Sequence, residues 1–261
     1  MATTTVITVR GTGQQRWDPA GPLTRVVHML GDGAEWRDLE YDASIAVFNP
    51  KGRIDGPSEA MSRQRGVAYL AAEIRATPNR VILVGYSLGA LVISDFLTLQ
   101  ARGLFTDCEV SAVVNLANPA RAAGVSFGLP SFGYGLDGQH PQWPPIPTYE
   151  IANPVDLITS APANSPWRQF ADQIRTFSVA DVGTWLRHML DQLDGAEQRQ
   201  AQGNWLRPEF WEAYAQAPAW LVGYLRDGQH TAAYTQPRWY DPSGRKVTGV
   251  QLAALAISRH L

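Results

Sequence analysis

A single serine stands between two glycines in Gly85-Tyr86-Ser87-Leu88-Gly89, directly after the apolar run Val81-Ile82-Leu83-Val84 and ahead of Ala90-Leu91-Val92. A strand that turns abruptly into a helix at Ser87 lifts the hydroxyl above a sheet, and glycine on either side removes Cβ atoms that would crowd so tight a bend. The start of the following helix places its positive dipole end beside the oxygen. Such an arrangement suits nucleophilic acyl transfer.

A serine hydroxyl is a weak nucleophile and needs a general base, normally histidine, oriented by a carboxylate. Five histidines are available. His28 lies between Val27 and Met29 in an early helical stretch, His188 in an amphipathic one, and His260 next to the last residue, while His140 precedes any suitable acid. His230 remains, in the turn-rich Asp227-Gly228-Gln229-His230-Thr231. With the triad in the order Ser, Asp, His, the acid falls between them. Asp156 follows the run Tyr149-Glu150-Ile151 through Asn153-Pro154-Val155, which puts it in a loop at a strand end. Asp172 is the next choice. Asp181, Asp191 and Asp194 fall in or near helical segments, and Asp137 precedes the strand that should present the acid. A developing oxyanion needs two backbone N–H donors. Leu88, after the nucleophile, is expected to give one, and Thr12, within Arg10-Gly11-Thr12-Gly13-Gln14, the other.

The elements that must position these groups alternate. Strands are expected at 6–9, 45–48, 81–84, 112–116 and 148–151, with helices over 66–76 and 88–99 and a terminal helix within 248–260. Strands alternating with helices give a central, mostly parallel sheet covered on both faces, with the chemistry at the carboxyl ends of its strands. Residues 124–147, rich in Gly and Pro, are expected to form a long ordered loop over those ends. From about Trp167 to Tyr224 amphipathic stretches replace strands. The expected organisation is therefore an α/β catalytic domain at 1–166 and 225–261, interrupted by a helical insertion at 167–224 between acid and base. Seven of the nine tryptophans come after residue 142. They would form the small core of the insertion, an apolar groove for a lipid chain, or both.

Composition narrows the partners. A net charge of −2 with 18% charged residues leaves no basic footprint, so nucleic acid is not expected. Cys108 is the one cysteine, which rules out an intramolecular disulfide and the usual Cys/His metal clusters; we expect no cofactor and no metal. The first ten residues lack a basic stretch followed by an apolar one, and no run approaches the ~20 apolar residues of a membrane span. No secretory signal and no transmembrane segment are expected, and the chain is expected to be a monomer.

The Arg10-Gly11-Thr12-Gly13 loop, the Gly85-Tyr86-Ser87-Leu88-Gly89 elbow and the positions of Asp156 and His230 resemble those of the cutinase-like serine esterases of the α/β-hydrolase fold. Within that group the helical insertion between acid and base is most similar to the mycobacteriophage lysin B proteins, which are mycolylarabinogalactan esterases. Two departures from typical cutinases point the same way. Cutinases hold their acid and base loops with disulfides, which a single Cys excludes, and they lack an insertion of this size. The resemblance implies hydrolysis of the ester joining mycolic acid to arabinogalactan in a mycobacterial envelope, by an endolysin made in the host cytoplasm and acting at the envelope after release. A general lipase, cutinase-like esterase or thioesterase would use the same triad. A catalytically inactive envelope-binding module would keep the fold alone.

Overall fold

The computed structural model describes residues 4–45, 49–52, 55–171, 190–197 and 207–261. Five strands, β1 (Thr4–Val9), β2 (Glu35–Asp38), β3 (Arg80–Tyr86), β4 (Ala112–Leu116) and β5 (Thr148–Ile151), form one sheet in the order β2-β1-β3-β4-β5. Every pairing is parallel. Parallel strands need crossovers, and α1 (Pro22–His28), α2 (Glu59–Arg75) and α3 (Leu88–Ala101) lie along the chain between them.

Successive residues of the inner strands point to opposite faces, and both faces are buried. Val6, Ile82 and Val114 face one core with α1 and the terminal helix α6 (Gly249–Ser258), whereas Ile7, Leu83 and Val113 face the other with α2 and α3. This is why β1, β3 and β4 read as unbroken apolar runs rather than alternating ones. Each large aliphatic side chain taken fully out of water contributes about 1.5–3 kcal/mol.

β1 and β3 are neighbours although β2 comes between them in sequence, so the strand order reverses there. A crevice opens at such a reversal because the connections leave in opposite directions. The loop after β1 and the turn after β3 flank it. Here, with Val9 opposite Gly85 in the register, the Thr12 loop and Ser87 are brought side by side.

The second strand differs from expectation. Ile45 is buried but makes only an isolated bridge, and 46–48 lie outside the described residues; the sheet takes Glu35-Trp36-Arg37-Asp38 instead. This edge strand exposes Glu35 and pairs on one side only, so it carries no apolar run to announce it. An antiparallel pair, β6 (Pro237–Tyr240) and β7 (Lys246–Thr248), was likewise hidden by its proline and charged residues. α2 begins at 59 rather than 66, where Ser58 caps it by accepting from the Met61 N–H. α6 starts with a capping box between Thr248 and Gln251.

Residues 117–147 contain no regular element, as expected of the long loop. Where the 167–224 segment is described it is helical: residues 190–197, and α5 (Pro208–Leu225). α5 packs on the single turn α4 (Leu157–Ser160) through a third core that includes Trp167, Leu157, Tyr214 and Leu221. Trp167 is fully buried and its indole donates to the Ala217 carbonyl at 2.7 Å. Trp185 and Trp205 lie outside the described residues.

Candidate active site

Ser87 adopts φ 53°, ψ −119° between β3 and α3. A non-glycine residue at positive φ costs about 1–3 kcal/mol and persists only where surrounding structure enforces it. Here the Ser87 N–H is tied to the Leu116 carbonyl of β4 at 3.1 Å, and the Ser87 carbonyl accepts from Ala90 and Leu91 as α3 begins. A Cβ on Gly85 would lie 2.7 Å from Ala90 Cα, so no larger residue fits under the turn. A Cβ on Gly11 would lie 3.2 Å from Ser87 Cβ, which measures how closely the β1 loop meets the elbow.

His230 reaches the serine from 143 residues away, with 2.8 Å between Ser87 Oγ and Nε2. Its other ring nitrogen, Nδ1, lies 2.8 Å from Asp156 Oδ2, 74 residues away in sequence. A carboxylate oxygen can only accept, so Nδ1 carries the proton and Nε2 presents a lone pair to the serine. Asp156 is wholly buried and His230 is 7% exposed. The sequence-derived trio Ser87, Asp156 and His230 is therefore one continuous hydrogen-bonded chain.

Asp156 is also the N-cap of α4. Its Oδ1 accepts from the Ile158 N–H at 3.0 Å, while Oδ2 accepts both from His230 and from the Tyr234 hydroxyl at 3.1 Å. That hydroxyl in turn accepts the Asn153 N–H at 3.1 Å. The base is fixed along its backbone as well: Tyr86 Oη donates to the His230 carbonyl at 2.6 Å, and the Asn153 side chain donates to the Gln229 carbonyl at 2.8 Å. Three tyrosine rings surround the imidazole or its acid, with Tyr86 and Tyr224 within 6 Å of the His230 ring and Tyr234 against Tyr86. Burial pushes the Tyr86 and Tyr234 hydroxyls well above the usual phenol range and that of Tyr224 up to about 12, so all three stay neutral donors.

Ser87, His230, Thr12 and Leu88 line one cavity of about 690 Å³, whose apolar wall includes Ile45, Leu91, Pro119 and Ile158. No tryptophan among the described residues lines it, so the described tryptophans belong to cores and surfaces rather than to a groove at the serine. Leu88 opens α3, where the first N–H groups have no intrahelical acceptor. In the facing loop the N–H groups of Gly11, Gly13 and Gln14 are satisfied by Gln14 Oε1, the Ala43 carbonyl and the Gly11 carbonyl. The Thr12 N–H has no acceptor among the described residues.

Two buried arginines stiffen these loops. The Arg10 guanidinium donates to the carbonyls of Gln14, Leu39 and Tyr41, and Tyr41 Oη donates back to the Arg10 carbonyl. Arg121 is fully buried and binds the carbonyls of Thr159, Ala122, Val125 and Gly133 and the hydroxyl of Ser131, joining the long loop to the turn that follows the acid. Glu150 on β5 is buried behind the site, with Asn115 and Asn118 both donating to Oε1 at 2.9 Å and Oε2 lacking a partner among the described residues. Burial pushes its carboxyl up to about 7.

The alternatives lie elsewhere. Asp137 pairs with Arg63 at 3.3 Å, His140 stacks on Trp143, His260 contacts Tyr149, and His28 is exposed; Asp172, Asp181 and His188 are outside the described residues. Sequence reasoning missed Tyr234, Asn153, Arg10 and Arg121, since nothing in a lone sequence distinguishes a buried arginine from the many exposed ones. The Asn153-Pro154 turn was the one available hint. Among the described residues there is no group of three or more His, Cys, Asp or Glu side chains suited to a metal, and no helix long and apolar enough to cross a membrane.

The chain is similar to several solved structures. Lysin B from Mycobacteriophage D29 is 15% identical with a TM-score of 0.55, over 99% of this chain and 100% of that one. The catalytic core domain of acetyl xylan esterase from Trichoderma reesei is 19% identical with a TM-score of 0.48, over 67% of this chain and 96% of that one. A cutinase-like protein from Cryptococcus sp. is 17% identical with a TM-score of 0.45, over 67% and 91%. No curated protein matches the chain. Residues 6–260 match the model of the alpha/beta hydrolase family, and the chain belongs to that family.

Proposed function

We propose that this hydrolase is a serine esterase, and that the unbroken chain from Ser87 Oγ through His230 to Asp156 carries that reading. His230 Nε2 takes the serine proton as Oγ attacks the ester carbonyl, and the N–H groups of Leu88 and Thr12 receive the oxyanion. Collapse breaks the bond to the alcohol, which leaves with the proton held by His230. Water, deprotonated by the same imidazole, then attacks the acyl-enzyme; the acyl–Oγ bond breaks, His230 returns the proton to Ser87 Oγ, and the carboxylic acid is freed.

For the substrate we propose the ester between mycolic acid and arabinogalactan, cleaved by an endolysin made in the cytoplasm of a mycobacterial host and acting at its envelope after release. Support comes from the resemblance in sequence and from a fold likeness to lysin B that spans essentially the whole of both chains. The 167–224 segment would then be a helical subdomain, with the end of α5 and the residue beyond it contributing Tyr224 and Arg226 to the cavity wall.

The test is release of free mycolic acid from purified mycobacterial envelope, alongside cleavage of nitrophenyl esters of graded chain length. Mycolate release that disappears in Ser87→Ala is expected. Cleavage of short esters without mycolate release would overturn the substrate and leave a general lipase, cutinase-like esterase or thioesterase. No cleavage of any ester and no labelling of Ser87 by a fluorophosphonate would leave an inactive binding module.

A further inference from the structure

Asp156 Oδ2 is shared. It accepts from His230 Nδ1 at 2.8 Å and from Tyr234 Oη at 3.1 Å, in a site where the acid and the tyrosine are both wholly excluded from water. Building on the triad reading above, we propose that Tyr234 is a positioning residue for the reaction, clamping the acid and thereby setting the orientation and basicity of His230.

Three observations converge on this residue. First, its hydroxyl is spent on the site alone: it donates to the carboxylate oxygen that orients the base and accepts the N–H of Asn153, whose side chain holds Gln229, the residue before the base. One oxygen therefore links the acid-bearing and base-bearing loops. Second, burial and the Asp156 charge both oppose ionisation of the phenol, which keeps it a neutral donor. Third, the ring cannot swing away. It packs edge-on to Tyr86 at 6.3 Å and against Trp239 at 5.3 Å, and Trp239 is itself anchored by its indole to the Ala152 carbonyl.

The consequence for chemistry follows from charge. When His230 takes the serine proton, the imidazolium is stabilised by the Asp156 carboxylate. A second donor on Oδ2 draws off part of that negative charge, which lowers the pull of the carboxylate on the imidazolium and keeps the base from being protonated too early. It also fixes Oδ2 in the imidazole plane, so that Nε2 points at Oγ. Removing the hydroxyl loosens the second effect and reverses the first.

Tyr234→Phe keeps the ring and its packing and deletes the hydroxyl alone. The readout is the rate of Ser87 labelling by a fluorophosphonate from pH 5 to 9, which needs no knowledge of the natural ester, together with kcat and KM on a nitrophenyl ester. Expected are a labelling rate and kcat lowered by about tenfold, a KM within about twofold of the parent, and an acid limb moved to higher pH by about half a unit. Ile257→Ala is the control, since it loosens the same core from α6, which contributes nothing to the triad or the cavity wall; its acid limb should stay in place even as its melting temperature falls. A Tyr234→Phe limb and kcat unchanged, or a loss of rate that only follows the loss of folded protein, would overturn the positioning role. Failure of the parent itself to label at Ser87 would instead overturn the serine-esterase reading.

Discussion

Gly89, in the first turn of α3, lies so close to Val9 that a Cβ on it would come within 1.8 Å of the Val9 carbonyl oxygen. Both atoms are backbone or backbone-attached, so neither can rotate out of the way. The second glycine of the elbow therefore does more than permit a turn: it lets the nucleophile helix sit directly on the end of β1, which brings the Thr12 loop to the serine. Gly89→Ala is expected to push α3 off β1 and cost about 3 kcal/mol or more in urea unfolding. Any variant that still folds should lose activity disproportionately.

Replacing the serine separates strain from chemistry. Ser87→Ala should lower the rate by about 10³-fold or more, leaving only binding and oxyanion contributions. Ser87→Gly should be equally inactive. With φ at 53°, however, glycine is expected to be more stable than alanine there by about 1 kcal/mol. Equal melting temperatures for the two would mean the turn is not strained.

Arg121→Met removes a buried fork and leaves the carbonyls of Thr159, Val125 and Gly133 without their donor, while that of Ala122 keeps only the Val125 N–H. At about 1–3 kcal/mol for each buried acceptor, partly recovered by water, a loss of about 4 kcal/mol is expected. Limited proteolysis should cut first within 122–133, which would locate the loss in the long loop.

The buried Glu150 carboxyl gives stability a pH dependence of known sign. Its folded value, about 7, lies above the ordinary 4.5. The folded state therefore binds this proton more tightly, so the contribution of Glu150 to stability is greatest below about pH 4.5 and falls as pH rises to about 7. The span corresponds to about 3 kcal/mol. Glu150→Gln cannot ionise, so its urea midpoint should match the parent at pH 5 and exceed it at pH 8. A difference independent of pH would contradict the assignment.

The elbow was legible in the sequence because it is local. A serine between glycines after four apolar residues defines a strand, a turn and a helix within a dozen positions, and the order Ser, Asp, His selected Asp156 and His230 from their competitors. β1, β3 and β4 were legible for the related reason that a strand buried on both faces has to be apolar throughout. β2 was not, because an edge strand is free to be charged; nor was β6, which begins with a proline. The bracing was also invisible. Tyr234, Arg10 and Arg121 act through contacts that the chain makes only after distant segments have packed, and their residue types are equally at home on a surface.

The bond between Ser87 and His230 spans 143 residues, and the one between His230 and Asp156 spans 74. The residues that shape the elbow all lie within β1, β3, α3 and β4, but its base comes from the final eighth of the chain, with Tyr234 still nearer the end. During synthesis the serine is thus made long before the base that arms it. A chain that ends ahead of residue 230 lacks the proton acceptor and, with it, the α6 helix that covers one face of the sheet.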